Sequence, residues 1–420
     1  MEKNMKIAII GSGISGLTCA WHLAKNHDVH VFEANDYIGG HTRTLDIETQ
    51  SGNYAIDTGF IVFNDWTYPN FIRLMTDLGV QWKDSSMSFS VKVESNGLEY
   101  NGTNLNSLFA QRKNIFNPHF YRMIKDIIRF NRESIATLES HSNQTLGEYL
   151  SVNKYSNEFK QHYIIPMGAA IWSSSSSQMD QFPIEYFVRF FKNHGMLSVG
   201  DRPVWKVIKG GSSSYLEPIC KPFKQNVHLR SPVQSIHRTK EKVILSVLEN
   251  GIQNQVHFDE VILASHSDQS LRLLQDITIP EQEILSQFKY QTNETTLHTD
   301  EAVLPKSKLA RAAWNYFVPQ DPRHSVAVTY IMNILQGIRS PETFSVSLNM
   351  NDLIDPKKII RTMKYEHPVF NEKAFQAQKR WSEISGINRT HFCGAYWGYG
   401  FHEDGVKSGL QVLKTIGVKV

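Results

Sequence analysis

The sequence predicts an α/β fold in which a doubly wound domain is assembled from three separated segments, with an α+β domain inserted between them. Three observations predict it. Residues 5–35 read as one strand–helix–strand unit, and the same alternation returns near residue 206. Residues 390–420 then close with a short strand, a glycine-rich loop and a helix. A chain of 420 residues is long enough for about two to three domains and a large core.

The first element, Lys6 to Ile10, is short, β-branched and almost continuously apolar, as a buried parallel strand must be. It is too short to span a membrane and lacks a small-residue cleavage site. A helix is predicted from Ile14 to Lys25 and a second strand from Val29 to Glu33. A Gly39-Gly40 loop, the segment Asn53–Phe60 and a helix near Tyr68–Leu78 follow. Aromatic-rich helical stretches dominate residues 81–205. The serine run Ser173–Ser177 reads as a loop, because no base and orienter flank it to activate a nucleophile.

Lys209-Gly210-Gly211-Ser212 then opens a helix expected to reach Phe223. A strand pair, Pro232–Arg238 and Val243–Leu248, comes next. The turn Glu249-Asn250-Gly251 leads to Gln255–Phe258 and a buried strand, Glu260–Ala264. Asp268 is expected in a loop, and Asp300-Glu301 as a helix cap. The predicted domains are therefore 1–80, 206–270 and 385–420 for the first, and 81–205 and 271–384 for the inserted one.

Composition narrows the function classes. With 41% hydrophobic and 20% charged residues the chain matches an ordinary soluble protein, and a net charge of +3 gives no global attraction to nucleic acid. Cys19, Cys220 and Cys393 are scattered, odd in number and not at zinc-like spacing. They imply neither a disulfide framework nor a metal site, and they fit a reducing, cytoplasmic compartment.

The chemistry concentrates in Gly11-Ser12-Gly13-Ile14-Ser15-Gly16. Between a buried strand and a helix, Gly11 permits the tight turn, Gly13 lets backbone N–H groups approach a pyrophosphate, and Gly16 lets the helix pack on the sheet. The helix start adds unpaired N–H donors and partial positive charge. Glu33 stands twenty positions after Gly13, at the end of the second strand. A carboxylate there accepts hydrogen bonds from both ribose hydroxyls and disfavours a 2′-phosphate.

NAD and FAD sites share that fingerprint, so the next residues must separate them. Glu33 continues through Ala34 to Gly39-Gly40-His41-Thr42-Arg43-Thr44. This extension resembles the flavin-containing amine oxidoreductase superfamily, which includes monoamine oxidases, protoporphyrinogen oxidases and phytoene desaturases. Later segments resemble it in order. Ala55–Val62, with Thr58, Gly59, Phe60 and Ile61, is similar to the segment whose backbone lies against the flavin ring. Gly210-Gly211 is similar to its middle helix start, and Pro232–Ile236 to the strand whose valine, here Val233, contacts adenine. Asp259–Ser265, containing Ala264, resembles a strand near the dinucleotide. Phe392–Ala395, with Gly394, and Gly400–Gly409 resemble the C-terminal flavin motif.

The resemblance covers most of the first domain and little of residues 81–205. It implies a two-dinucleotide-binding-domain scaffold holding FAD, with the backbone of Glu403, Asp404, Gly405 and Val406 facing the flavin pyrimidine edge. Phe401 occupies the place of an aromatic cage residue. The chain also departs from the pattern. Thr292–Thr299 corresponds to a strand that in many amine oxidases carries a lysine beside the flavin, and it has none. No cysteine stands where covalent attachment would need one, so non-covalent FAD is expected. His298, His402 and Glu403 are the candidates for proton transfer. The implied reaction takes a hydride from a small organic substrate, apolar or lipid-like, in oxidation, desaturation or isomerisation. An amine oxidase, or an FAD-binding partner subunit in lipid modification without its own turnover, are the alternatives.

Residues 109–132 mix six cations with aromatic and aliphatic side chains. On a helix from Pro118, Tyr121, Ile124, Ile128 and Ile135 form one stripe flanked by the basic residues. Such a stripe either packs on the core or docks on anionic lipid.

Overall fold

The computed structural model describes residues 4–140, 144–172, 174–198, 200–320 and 327–418. A five-stranded parallel sheet forms its base, in the order Val227–His228, Asp28–Phe32, Lys6–Ile10, Glu260–Leu263 and Thr390–Phe392. Segments from the beginning, middle and end of the chain thus lie side by side. Strand alternation divides the base into two cores. Ile7 and Ile9 point to the face covered by helices Ile14–Leu23 and His402–Ile416. Ala8 and Ile10 point to the other face, covered by the antiparallel strands Val233–Arg238, Val243–Glu249 and Ile252–Phe258. The last two are joined through Asn250 and Gly251, both with positive φ (51° and 80°), a hairpin geometry suited to Asn-Gly. The expected strand pair is therefore a three-stranded unit.

A second, seven-stranded sheet carries the rest. Its order is Ile359–Val369, Lys289–His298, Ser345–Leu348, Ala327–Ile331, Trp314–Val318, Phe89–Val93 and Glu99–Asn101. Two of these strands come from the stretch read as helical. Helices between Pro118 and Asn193 pack on one face of the sheet, with Phe130, Phe159, Phe187 and Phe191 against Tyr316, Val328 and Leu348. A small sheet links the halves: Trp205–Ile208 pairs with Phe63–Asn64 and Trp82–Asp84.

Other local differences have local causes. The helix expected from Ser212 to Phe223 is broken into Ser212–Tyr215, Leu216–Cys220 and Lys221–Asn226, with Pro218 and Pro222 inside the run. In the serine run, Ser175 caps a helix, Ser176–Asp180, through a capping box with Gln178; Ser173 lies outside the described residues. Asp268 sits in the first turn of helix Ser267–Leu273 rather than in a loop. Among the described residues no helix is long and apolar enough to cross a membrane.

Candidate functional site

Where the two sheets meet, a cavity of about 1350 Å³ runs from the Gly11–Ser15 turn to an aromatic chamber under the seven-stranded sheet. It exceeds the roughly 300–1,000 Å³ usual for one small ligand.

Its narrow end is shaped by glycines. Gly11 has φ +106°, and a Cβ there would stand 2.9 Å from the Ala264 carbonyl oxygen. A Cβ on Gly16 would stand 2.3 Å from the Gly11 oxygen, so this residue seats the helix and does not line the cavity. Gly13 is different: a Cβ would meet no protein atom within 4 Å, because the residue faces the open cavity. Gly40 closes over it, its own Cβ position 3.2 Å from the Gly13 Cα. Gly59 is required by the crossing of chains, since a Cβ would lie 2.1 Å from the His41 oxygen. Phe60 N–H donates to that same oxygen at 2.8 Å, which fixes 58–61 beside 39–43.

Glu33 is buried at the cavity wall with both oxygens held. Ser12 donates to Oε2 from its N–H (3.1 Å) and its hydroxyl (2.5 Å), while Asn35 donates to Oε1 from its N–H and Nδ2, both at 2.9 Å. Ala34, Val233, Ala264, Gly394 and Phe401 also line the cavity. Ser231 and Pro232, just before Val233, line it too and were not anticipated.

Helix His402–Ile416 starts against the first turn of helix Ile14–Leu23. A Cβ on Gly405 would lie 2.7 Å from Ile14 Cγ2, and one on Gly409 2.9 Å from the Ser15 oxygen. Two helix starts therefore converge on one end of the cavity. Asp404 stabilises the second by accepting from the N–H groups of Tyr399 and Phe401, each at 3.0 Å. Burial raises its pKa to about 6. Gly405 and Val406 are packed inside the molecule, and Asp404, Gly405 and Val406 contribute no lining to the cavity; Phe401 and His402 do.

Two of the three proton-transfer candidates lie elsewhere. His298 is fully buried at the end of strand Lys289–His298. Thr295 lines the cavity, and the period of two turns His298 to the opposite face of the sheet. There Asp300 N–H donates to its Nδ1 (3.0 Å), leaving Nε2–H to donate to the Ser347 hydroxyl (2.8 Å). Glu403 is turned onto helix Pro69–Asp77, accepting from Asn70 N–H and Nδ2 and from Phe71 N–H at 3.3, 2.6 and 2.9 Å. It caps that helix and is outside the cavity lining.

His402 remains at the cavity, its ring stacked on Phe60 and its Nε2 2.9 Å from Thr42 Oγ1. Thr42 sits behind the lining, bonded in turn to the Tyr215 hydroxyl.

His41, expected at the cofactor from the sequence, has neighbours there that the sequence does not signal. His41 meets Tyr365 and His367 with ring centroids 5.2 and 5.4 Å apart, and His266 at 6.4 Å; all four line the cavity. Burial holds these imidazoles neutral: the pKa of His41 is lowered to about 4, that of His367 to about 3, and that of His266 is lowered too. The Nε2 of His41 is buried with no hydrogen-bond partner. Among the described residues no group of His, Cys, Asp or Glu is placed to hold a metal. Thr58 is tied to the same wall by its hydroxyl, 3.0 Å from the Tyr365 hydroxyl.

These residues fit a dinucleotide. The open face of Gly13, the acid at Glu33 and the unpartnered His41 Nε2 all front one elongated space.

Comparison with known proteins gives the same answer. The profile of the family described as flavin containing amine oxidoreductase matches residues 14–329. The 15-cis-phytoene desaturase of Synechococcus elongatus is 35% identical over 91 residues, covering 20% of this chain and only 18% of the desaturase. Cyclohexylamine oxidase from Brevibacterium oxydans shares the fold with a TM-score of 0.68 at 16% identity, covering 99% of both chains. A fatty acid isomerase from P. acnes that produces CLA does so with a TM-score of 0.68 at 15% identity, again over 99% of both. By the extent of the profile match and the cavity it encloses, the chain belongs to the flavin-containing amine oxidoreductase family.

Proposed function

We propose that this protein is an FAD-dependent oxidoreductase that takes a hydride from an apolar or lipid-like organic substrate, with FAD held non-covalently. One observation carries the reading: the cavity that begins at the Gly11–Ser15 turn continues into a chamber walled by Phe89, Ile171, Trp172, Phe190, Trp314 and Leu348. Such a wall desolvates a hydrocarbon, and none of these six side chains offers a counter-ion to an ammonium.

Glu33 would bind the ribose hydroxyls, and the turn at Gly13 would admit a pyrophosphate to the start of helix Ile14–Leu23. The start of helix His402–Ile416 would place partial positive charge near the ring system. Flavin, when bound, supplies the two-electron acceptor for a substrate hydride. The imidazoles of His41 and His367, kept uncharged by burial, would line the groove as neutral hydrogen-bonding groups, with the unpartnered Nε2 of His41 available to a bound ligand. The aromatic chamber excludes water from the reacting centre. None of the three cysteines lines the cavity, in keeping with non-covalent binding.

Tyr399 and Phe401, which line the cavity together, favour one second reading, an amine oxidase with an aromatic cage. The test is anaerobic reduction of the purified holoprotein. Bleaching of the flavin absorbance by unsaturated fatty acids or other apolar substrates, and not by simple amines, is the expected result. Bleaching by amines alone would overturn the proposal, and acid precipitation that left the yellow colour in the pellet would overturn non-covalent binding.

A further inference from the structure

Helix Pro118–Glu133 buries Phe120, Met123 and Phe130; of the stripe identified in the sequence, Ile124 is half-buried against the core while Tyr121, Ile128 and Ile135 face outward. Ile128 is 62% exposed, and nearby Phe116 and Leu105 are 88% and 75% exposed. Ile115 and Tyr121 are exposed as well. The ring of Phe109 meets that of Tyr121 at 5.9 Å, joining the 105–116 loop to the helix in one surface. Single exposed apolar residues are ordinary, but a cluster this dense is not.

Charge decides what covers it. Residues 105–132 carry six cations (Arg112, Lys113, Arg122, Lys125, Arg129 and Arg132) against a single acid, the buried Asp126. Lys113 and Lys125 have no ion pair among the described residues. Exposed aromatic and aliphatic side chains rimmed by unpaired lysines match the acyl–headgroup boundary of an anionic membrane. Tyr100, Gly102 and Thr103, immediately before Leu105, line the large cavity, so the patch lies at its edge.

We propose that Leu105–Arg132 docks this protein on an anionic lipid bilayer, placing the apolar chamber next to its supply of substrate. The purpose rests on the apolar-substrate reading; the docking does not, because vesicle binding is scored without turnover.

The experiment is co-sedimentation of the full-length holoprotein with phosphatidylcholine vesicles, with and without phosphatidylglycerol. Partitioning at least ten-fold stronger onto the anionic vesicles, and weakened by salt, is expected. Each of Lys113→Ala and Lys125→Ala should weaken it about five-fold. Phe116→Ser with Ile128→Ser should weaken it ten-fold or more, with flavin absorbance and helical circular dichroism unchanged. Equal affinity for neutral vesicles, no sedimentation with either, or variants that bind like the parent protein would overturn the proposal. A stable dimer in sedimentation velocity that Phe116→Ser dissolves would also overturn it, by assigning the patch to a second copy of the chain.

Discussion

The imidazole of His402 lies flat on the ring of Phe60, with centroids 3.6 Å apart and planes 11° from parallel. A charged imidazolium in that position would have to be desolvated beside His41, and its pKa is lowered to about 3, first by burial and then by His41. Burial likewise lowers His367 to about 3, and His22, His41, His194 and His298 to about 4.

Acid lability follows. Below the ordinary histidine pKa of 6.5 the unfolded chain binds protons that these six folded imidazoles refuse, so stability is full above pH 6.5 and falls as pH drops towards 4. Asp57 and Asp404 act in the opposite sense, because burial raises both to about 6 and the folded state gains protons between pH 6 and 3.8. Six groups outweigh two. Urea midpoints measured between pH 7 and 5 should fall by an amount worth about 3 kcal/mol or more. A flat or rising profile would show that the imidazoles are charged in the folded protein.

Gly13 and Gly16, two and five positions beyond Gly11, should respond differently to alanine. At Gly13 the added methyl meets no protein atom, so Gly13→Ala should melt within a degree or so of the parent apoprotein while losing flavin about ten-fold or more. At Gly16 the methyl would stand 2.3 Å from the Gly11 oxygen, and Gly16→Ala should destabilise the apoprotein itself by about 2–3 kcal/mol. Equal loss of stability in both would mean that Gly13 is also a packing residue.

Legibility in the sequence followed how local each constraint is. The turn at Gly11–Gly16, its strand and Glu33 lie within one supersecondary unit, so spacing alone located them. The resemblance of Thr292–Thr299 to a family strand puts His298 near the reaction, but which residues of a strand face a cavity depends on its partners. Here those are Ser345–Leu348 and Ile359–Val369, more than forty residues away. Glu403 is hidden from the sequence for the same reason: its partner Asn70, in the first turn of helix Pro69–Asp77, lies 333 residues earlier. The wall formed by His41, Tyr365 and His367 exists only because strand Ile359–Val369 lands beside the 39–43 loop, a tertiary event with no periodic signal.

The polar face of the seven-stranded sheet gives His298 a role that can be separated from catalysis. Its two nitrogens satisfy Ser347 and the Asp300 N–H in a region sealed from the cavity. His298→Ala should lower stability by about 1–3 kcal/mol, because both partners lose a buried hydrogen bond. The rate of flavin reduction per folded molecule should remain within two-fold or so of the parent, since nothing in the cavity moves. A hundred-fold fall in that rate with unchanged melting would restore His298 to the chemistry.

Glu33 provides the sharpest test of the nucleotide end. Both of its oxygens accept from backbone N–H groups, Ser12 on one and Asn35 on the other. In Glu33→Gln the new amide has one acceptor and one donor end, and either orientation turns an NH₂ onto a backbone N–H that cannot reverse. The turn that holds Gly13 must then shift, and the carboxylate offered to the ribose is lost as well. Hydrogen bonds to a charged group contribute about 1.5–3 kcal/mol each, so flavin dissociation should strengthen roughly ten- to hundred-fold, read by fluorescence of released flavin on dilution. Glu33→Asp should not rescue it, because the shorter side chain cannot span Ser12 and Asn35 together. Retention of flavin by the glutamine variant at the parent affinity would mean that the charge at this position plays no part in holding the ribose.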